Sequence, residues 1–376
     1  MNRPKNGNKE VVAMFKHWLV QARKGQLMTA AIAVSDGTDD VGISYAGDPG
    51  PFPQVVTGLE MLAKEVGHQH RKRQPGPRND SLDASFHEYN LATDANNWDF
   101  LIWLIDSEMR RIREDAMPPL KIAFTHMEDI SETARQFVER VYRPLLPLIG
   151  AVEDPRALGG RRNASLTPYQ ISLAARRGER VPMLRASEDN IRAARHNLNG
   201  QQPITITLRE AKHWPKRNSN VPAWIGFARD LQARGERVIF VRDTCRANEP
   251  LEDFETWPQA SFHVGMRMAL YSVAKCNMFV SNGPAGLGLF SKVPYLYFLR
   301  VFRDTEYEAN NPDWWVRANG IGEGDQWPWA TPQQRMIWKA DSYENLCEAW
   351  EQCGPALHAN TFATTTSALA LAHAGL

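Results

Sequence analysis

Cysteine is scarce in this chain of 376 residues. There are four, Cys245, Cys276, Cys347 and Cys353, and no C-x-x-C pair among them. That spacing excludes a disulfide framework and a cysteine-based zinc site, and it suits the reduced thiols of a cytosolic protein. Long apolar runs are missing as well. The longest, Phe100 to Ile105, falls far short of the ~20 residues that a membrane span needs. The opening segment, MNRPKNGNKE, has no hydrophobic stretch of signal-peptide type, so a cytoplasmic protein is expected. Charge of one sign is also lacking. With 44 basic and 43 acidic side chains the net charge is +1, so no global field would recruit nucleic acid or an anionic membrane. No internal repeat of fixed period is visible.

What is there is ordinary for a globular chain: 43% apolar and 23% charged residues, a balance that rules out a wholly disordered, collagenous or coiled-coil protein. At about 100–200 residues per domain, the length allows two to three domains. Twelve tryptophans stand out, most of them in the C-terminal half.

Residues 1–66 form a small accessory module. Val11, Val12, Phe15, Trp18 and Leu19 recur at helical spacing. Two apolar runs flank SDGTDD as a hairpin, with Asp36-Gly37 a candidate turn, and Val55 to Val66 make a second amphipathic helix. This α-β-β-α stretch resembles a small module of unknown chemistry in assorted phage and bacterial proteins. Residues 67–80, GHQHRKRQPGPRND, are a basic Pro/Gly linker. It reads as a solvated connector, and without interleaved aromatics nucleic-acid binding by it is not expected.

The remainder alternates short apolar runs with amphipathic helices, the pattern of an α/β protein with mostly parallel sheets. In residues 81–200, DFLIWLID reads as a strand followed by the helix SEMRRIRED. PPLKIAFTH is a second strand, and SETARQFVERVYRPLL a helix capped by Ser131 and closed by Pro144 and Pro147. In residues 201–376, PITITLRE and ERVIFVRDT are strands joined through the helix VPAWIGFARDLQARG. NMFVSN, the Gly-rich GPAGLG and PYLYFL follow. The expectation is two Rossmann-like domains facing each other across a cleft.

Ligands of open parallel sheets bind beyond the carboxyl ends of the strands. Arg209, Glu210, Lys216 and Arg217 follow the first strand of the second domain. Arg242, Asp243 and Thr244 follow the next, and Ser281, Asn282, Gly283 and Gly286 the third. Cations, hydroxyl and amide groups and a Gly-rich helix start suit a diphosphate. Taken singly, GPAGLG is also what a tight turn with close helix packing looks like, and it is not the dinucleotide fingerprint. Arg209 could pair with Glu210, Asp243 could cap a turn, and Lys212 to Arg217 could be an exposed basic loop.

At these residues the sequence resembles the C-terminal nucleotide-sugar domain of GT-B glycosyltransferases. ITITLREAKHWPKRNSN resembles the first strand and basic loop of heptosyltransferase-like and fucosyltransferase-like families. MALYSVAKCNMFVSNGPAGLGLFSKVPYLYF resembles their helix, strand, Gly-rich loop and helix. The chain lacks both the basic pair-plus-Asp motif of fucosyltransferases and the Asp-x-Gly loop of heptosyltransferases; Asn282-Gly283 stands at the latter position. The resemblance implies a GT-B-like fold and transfer of a sugar from a nucleotide-diphosphate donor to a hydroxyl acceptor such as a glycan, a lipid-linked sugar or a protein. No Asp-x-Asp pair is present, which fits a metal-independent reaction with no cofactor besides the donor. Arg209, Lys216 and Arg217 would face the leaving group, Asn282, Gly283 and Gly286 would supply loop contacts, and Asp243 or Ser281 would reach the ribose or base.

A catalytic base should come from the first domain. Asp106 lies beyond DFLIWLI, and His126 and Glu128 beyond LKIAF; an imidazole is apt because it titrates near neutral pH. The Trp-rich stretch with Trp314, Trp315, Trp327, Trp329 and Trp338 could stack on sugars or pack the final segment. The helix from Asp341 to Cys353 is placed to return to the first domain. A nucleotide-sugar epimerase and a non-catalytic nucleotide- or sugar-binding protein remain alternatives.

Overall fold

The computed structural model describes residues 30–35, 41–46, 84–92, 97–157, 161–162, 168–303 and 310–353. The chain divides into two compact units, Met1–Ser81 and Leu82–Leu376. In the first, β1 (Ala30–Ser35) and β2 (Val41–Ala46) pair antiparallel, with Ala30 opposite Ala46 and Ser35 opposite Val41. That is the expected hairpin. Its turn, both neighbouring helices and the basic linker lie outside the described residues.

The second unit is α/β with parallel sheets. Its first half runs β3 (Phe86–Asn90), α1 (Asp99–Arg113), β4 (Lys121–Thr125), α2 (Glu132–Phe137), a π-turn (Val138–Tyr142), α3 (Arg143–Ile149), β5 (Val152–Glu153) and β6 (Arg161–Arg162). The strands are parallel in the order β5-β4-β3-β6.

Here the sequence expectation needs two corrections. DFLIWLID is not a strand but the first half of α1. A short apolar run fits a buried strand or a buried helix equally well. The helix wins because the next residues continue it for 15 in all, with Asp99 in the first turn and Arg110, Arg111 and Arg113 in the last, each sign at the favourable end. The strand before it is FHEYN, which hides in the sequence because His87 and Glu88 are buried polar residues. Nor do Pro144 and Pro147 end their helix. Ser131 caps it as expected, accepting from Ala134 N at 3.2 Å, but the backbone widens into the π-turn ahead of the prolines and continues to a left-handed Gly150.

The second half comprises α4 (Pro168–Arg176), α5 (Glu188–Asn197), β7 (Ile204–Thr207), α6 (Val221–Ala233), β8 (Val238–Val241), β9 (Glu255–Thr256), α7 (Pro258–Phe262), α8 (Val264–Val273), β10 (Cys276–Val280), α9 (Ala285–Leu289), β11 (Tyr295–Phe298), α10 (Pro312–Asn319), β12 (Gln334–Ile337) and α11 (343–353). Its six parallel strands are ordered β12-β11-β10-β7-β8-β9. Every residue of β7, β8, β10 and β11 is buried, as expected for strands covered on both faces. Trp224 and Phe227 of α6 cover one face together with Leu346, Ala349 and Trp350 of α11. Over its described length α11 therefore packs on the second sheet, where a return to the first half had been expected. The other face carries α5 and α8, and beside them Trp315 and Trp327 packed on Tyr295 and Tyr297. No helix among the described residues is long and apolar enough to cross a membrane.

The two halves share a core. Met268, Tyr271, Leu287 and Phe290 of the second half are buried in the cluster built on Phe100, Trp103 and Tyr142 of the first. One close approach is at the start of α1. A Cβ on Gly283 would fall inside the Trp98 ring, and one on Gly286 would lie 2.6 Å from Leu101 Cδ2. Trp98 and Leu101 thus seat against the loop that leaves β10, which brings the carboxyl ends of β3 and β4 toward that of β10.

A methyl group at position 283 has no room unless Trp98 moves. Gly283→Ala is expected to cost about 1–3 kcal/mol of stability, and Trp98→Ala in the same chain to recover part of it. A double-mutant cycle of thermal or urea unfolding reads the coupling.

Candidate functional site

The site grows from the residue after β7. Arg209 is only 5% exposed, and its guanidinium meets oxygen atoms of its own loop. Nη1 donates to Trp214 O at 3.1 Å and to Asn218 Oδ1; Nη2 donates to His213 O at 3.0 Å. Asn218 locks the same loop by accepting from Ala211 N at 3.1 Å and donating to Ala211 O at 2.9 Å. The base is closed by Ser219, whose Oγ accepts from Arg209 N at 2.9 Å. Residues 209–219 therefore wrap around one buried cation, with Trp214 in the left-handed region at φ +53°.

Arg209 does not pair with Glu210, which the sequence allowed. Glu210 takes a two-pronged ion pair from Arg242, at 2.9 and 2.6 Å, with both side chains nearly inaccessible, and a further contact from Arg246 at 3.0 Å. Asp243 accepts from Glu210 N at 2.6 Å and so ties the exit of β7 to that of β8.

Arg217 is a second cation, half-buried. It lies 5.4 Å over the Trp214 ring and donates through Nη2 to Ser281 Oγ at 3.0 Å, at the end of β10. Its Nε is buried and makes no hydrogen bond. Among the described residues no carboxylate forms an ion pair with Arg209 or Arg217. Burial pulls both guanidiniums below the usual arginine range; at Arg209 the like charge of Arg217 adds to the effect and Asp243 opposes it. Ser281 also hydrogen-bonds Tyr297, whose phenol burial pushes up to about 12. Two neighbouring cations drawn out of water with no carboxylate in ion-pair contact among the described residues are costly. An anion between them would offset that cost.

Of the residues expected around a diphosphate, Arg209, Arg217 and Ser281 are brought together. Lys216 is exposed, and its carbonyl accepts from Arg300 Nη1 at 3.0 Å. Arg300 in turn pairs with the buried Asp341, which also accepts from Asn220 N and Trp224 Nε1. Asn282 stands in the turn ahead of the five-residue α9, where its Oδ1 accepts from Ala285 N at 2.8 Å. The missing side chains of Gly283 and Gly286 are accounted for by Trp98 and Leu101 without any ligand.

Across from these loops the candidate bases separate. Asp106 had been put beyond a strand end; it lies inside α1, wholly buried and 3.0 Å from Arg110 Nε, where no acceptor reaches it. His126 does follow β4, with φ +62°, and its Nδ1 lies 2.8 Å from Asp129 Oδ2. Glu128 is exposed beside it. His126, Glu128 and Asp129 bring ligand atoms within 4.8 Å of one another, among the described residues the one such group that could hold a cation.

Sequence reasoning passed over Trp214 and Tyr297. Trp214 had a signal, a lone aromatic within the basic stretch KHWPKRN. Tyr297 had none, since it sits in an ordinary apolar strand.

No protein-family model and no curated protein sequence matches the chain. Among solved structures it is similar to heptosyltransferase-type proteins over about 72% of its length. A glycosyl transferase family 9 protein from Veillonella parvula aligns with 73% of this chain and 98% of its own, at 10% identity and TM-score 0.43. ADP-heptose lps heptosyltransferase II from E. coli aligns with 72% and 98%, at 8% identity and TM-score 0.43. A UDP-GlcNAc 2-epimerase from Methanocaldococcus jannaschii aligns with 78% and 80%, at 12% identity and TM-score 0.31.

Proposed function

We propose that the chain is a GT-B-like glycosyltransferase, with its two halves as the walls of a cleft and a nucleotide-diphosphate sugar as donor. The observation that carries this reading is Arg217: a half-buried guanidinium with an unpartnered Nε and, among the described residues, no carboxylate in ion-pair contact, beside a second cation in Arg209. A donor diphosphate held by Arg217 and Ser281 would supply the missing negative charge.

In this reading His126 takes the proton from the acceptor hydroxyl as its oxygen attacks the anomeric carbon. Asp129 holds the imidazole in orientation through the 2.8 Å contact. The bond from that carbon to the diphosphate breaks, and the nucleoside diphosphate leaves with its charge met by Arg217 and, at longer range, Arg209. Those fixed cations do the neutralising, so the reaction is metal-independent. Acceptors are hydroxyls of a glycan, a lipid-linked sugar or a protein.

Thermal unfolding with inorganic pyrophosphate and with nucleoside diphosphates tests the binding step. Ligand at 100 times its dissociation constant should add ~2.7 kcal/mol of stability, with or without magnesium. Arg217→Met is expected to unfold at the same or a higher temperature than the parent without ligand, and to lose the ligand-induced shift. A parent protein with no shift for any of these anions sinks the reading.

Release of nucleoside diphosphate from nucleotide sugars tests turnover and separates a transferase from a binding protein. His126→Ala should lower kcat about 10²–10⁴-fold and leave donor affinity unchanged. Full activity in that variant would remove His126 as the base.

A further inference from the structure

Trp214 is an anomaly in the basic loop. It is a large apolar side chain with half its surface, 51%, exposed. It also sits in a left-handed backbone conformation that is rare for a bulky residue. The loop keeps it there. Its carbonyl accepts from Arg209 Nη1 at 3.1 Å and from Arg217 N at 3.0 Å. The ring is positioned by a second contact, since the Arg217 guanidinium lies over it at 5.4 Å from the centroid. His213 meets it edge-on at 6.0 Å.

The same Arg217 points its Nη2 at Ser281 and leaves its Nε buried without a partner. A side chain whose cation awaits an anion is thus stacked on an aromatic plane that reaches solvent. An aromatic plane beside an anion-binding guanidinium is the pairing that a nucleotide calls for: charge for the phosphates and a π-face for the base.

We propose that Trp214 is the stacking platform for the nucleobase of the donor, with Arg217 lying between the indole and the diphosphate. This rests on the reading of Arg217 as the diphosphate site. Stacking is tolerant of base identity, because every base has a π-face. The loop therefore confers affinity for nucleotides as a class, and selection among bases falls to other groups.

The test is calorimetric titration of the full chain with inorganic pyrophosphate and with ADP, GDP, UDP and CDP, in the parent, Trp214→Ala and Trp214→Phe proteins. Trp214→Ala should bind its preferred nucleoside diphosphate about tenfold or more weakly while binding pyrophosphate as the parent does. Trp214→Phe should retain most of the affinity. Equal nucleoside diphosphate binding in parent and Trp214→Ala overturns the stacking role and leaves the diphosphate site standing. A matching loss for pyrophosphate also overturns it, because Trp214 would then act only by positioning Arg217. A parent protein that binds neither pyrophosphate nor any of the nucleotides removes the diphosphate site itself, and the stacking role with it.

Discussion

A guanidinium taken out of water needs acceptors for its N–H groups and a counter-charge for its cation, and these are separate requirements. Arg209 meets the first with the carbonyls of His213 and Trp214 and the amide oxygen of Asn218. Neutral oxygens leave the charge where it was. The loop that closes around Arg209 consequently stays positive, and it delivers Arg217 beside it, facing Ser281. The nearest carboxylate in sequence, Glu210, is already committed to Arg242 and Arg246. On the side of β8, Glu210 is locked to Arg242 and Arg246, whereas on the side of β10 Arg209 and Arg217 have no carboxylate in ion-pair contact among the described residues. That division of the sheet edge follows from which oxygens Arg209 found.

The other wall depends on close packing. Without side chains at 283 and 286, the β10 loop accepts Trp98 and Leu101 of α1. The contact fixes the carboxyl end of the first sheet against that of the second, and His126, one residue past β4, comes with it. A Gly-rich turn after a strand invites a reading as a phosphate cradle. In this chain the glycines admit the close approach of a helix from the other half, and in the proposed reading it is the arginines that meet the anion.

Much of this was legible in the sequence wherever one residue's type decides its environment. The strands ITIT, VIFV, CNMFV and YLYF are short runs of β-branched, aromatic and other mostly apolar residues bounded by turns, and the structure has them within a residue or two. FLIWLI looks the same and is a helix, since only the charged residues that follow reveal its period. FHEYN looks like no strand, because His87 and Glu88 are buried by tertiary surroundings that a linear pattern does not record. The strand-end rule picked out Arg209, Arg217 and Ser281. It could not separate their roles, since those depend on hydrogen bonds between residues such as Arg209 and Asn218, or Arg217 and Ser281, that only the folded loop brings together. Asp106 failed for a related reason: once its segment is helical, it points into the core beside Arg110.

The net charge of +1 excluded a global field, yet it is compatible with a strongly positive site. Ionic balance over a whole chain constrains only the sum. Here many arginines are neutralised where they stand, Arg111 by Glu108, Arg143 by Glu153, Arg242 by Glu210, and Arg209 and Arg217 are not. A pair of cations that, among the described residues, has no carboxylate in ion-pair contact is expensive for the protein alone, and stability by itself would favour an apolar residue at 217. The arrangement is economical only if an anion completes it. In the proposed reading the ligand is constrained by physics before chemistry: it carries negative charge, it fits where Ser281 and the buried Nε of Arg217 converge, and it approaches past an indole.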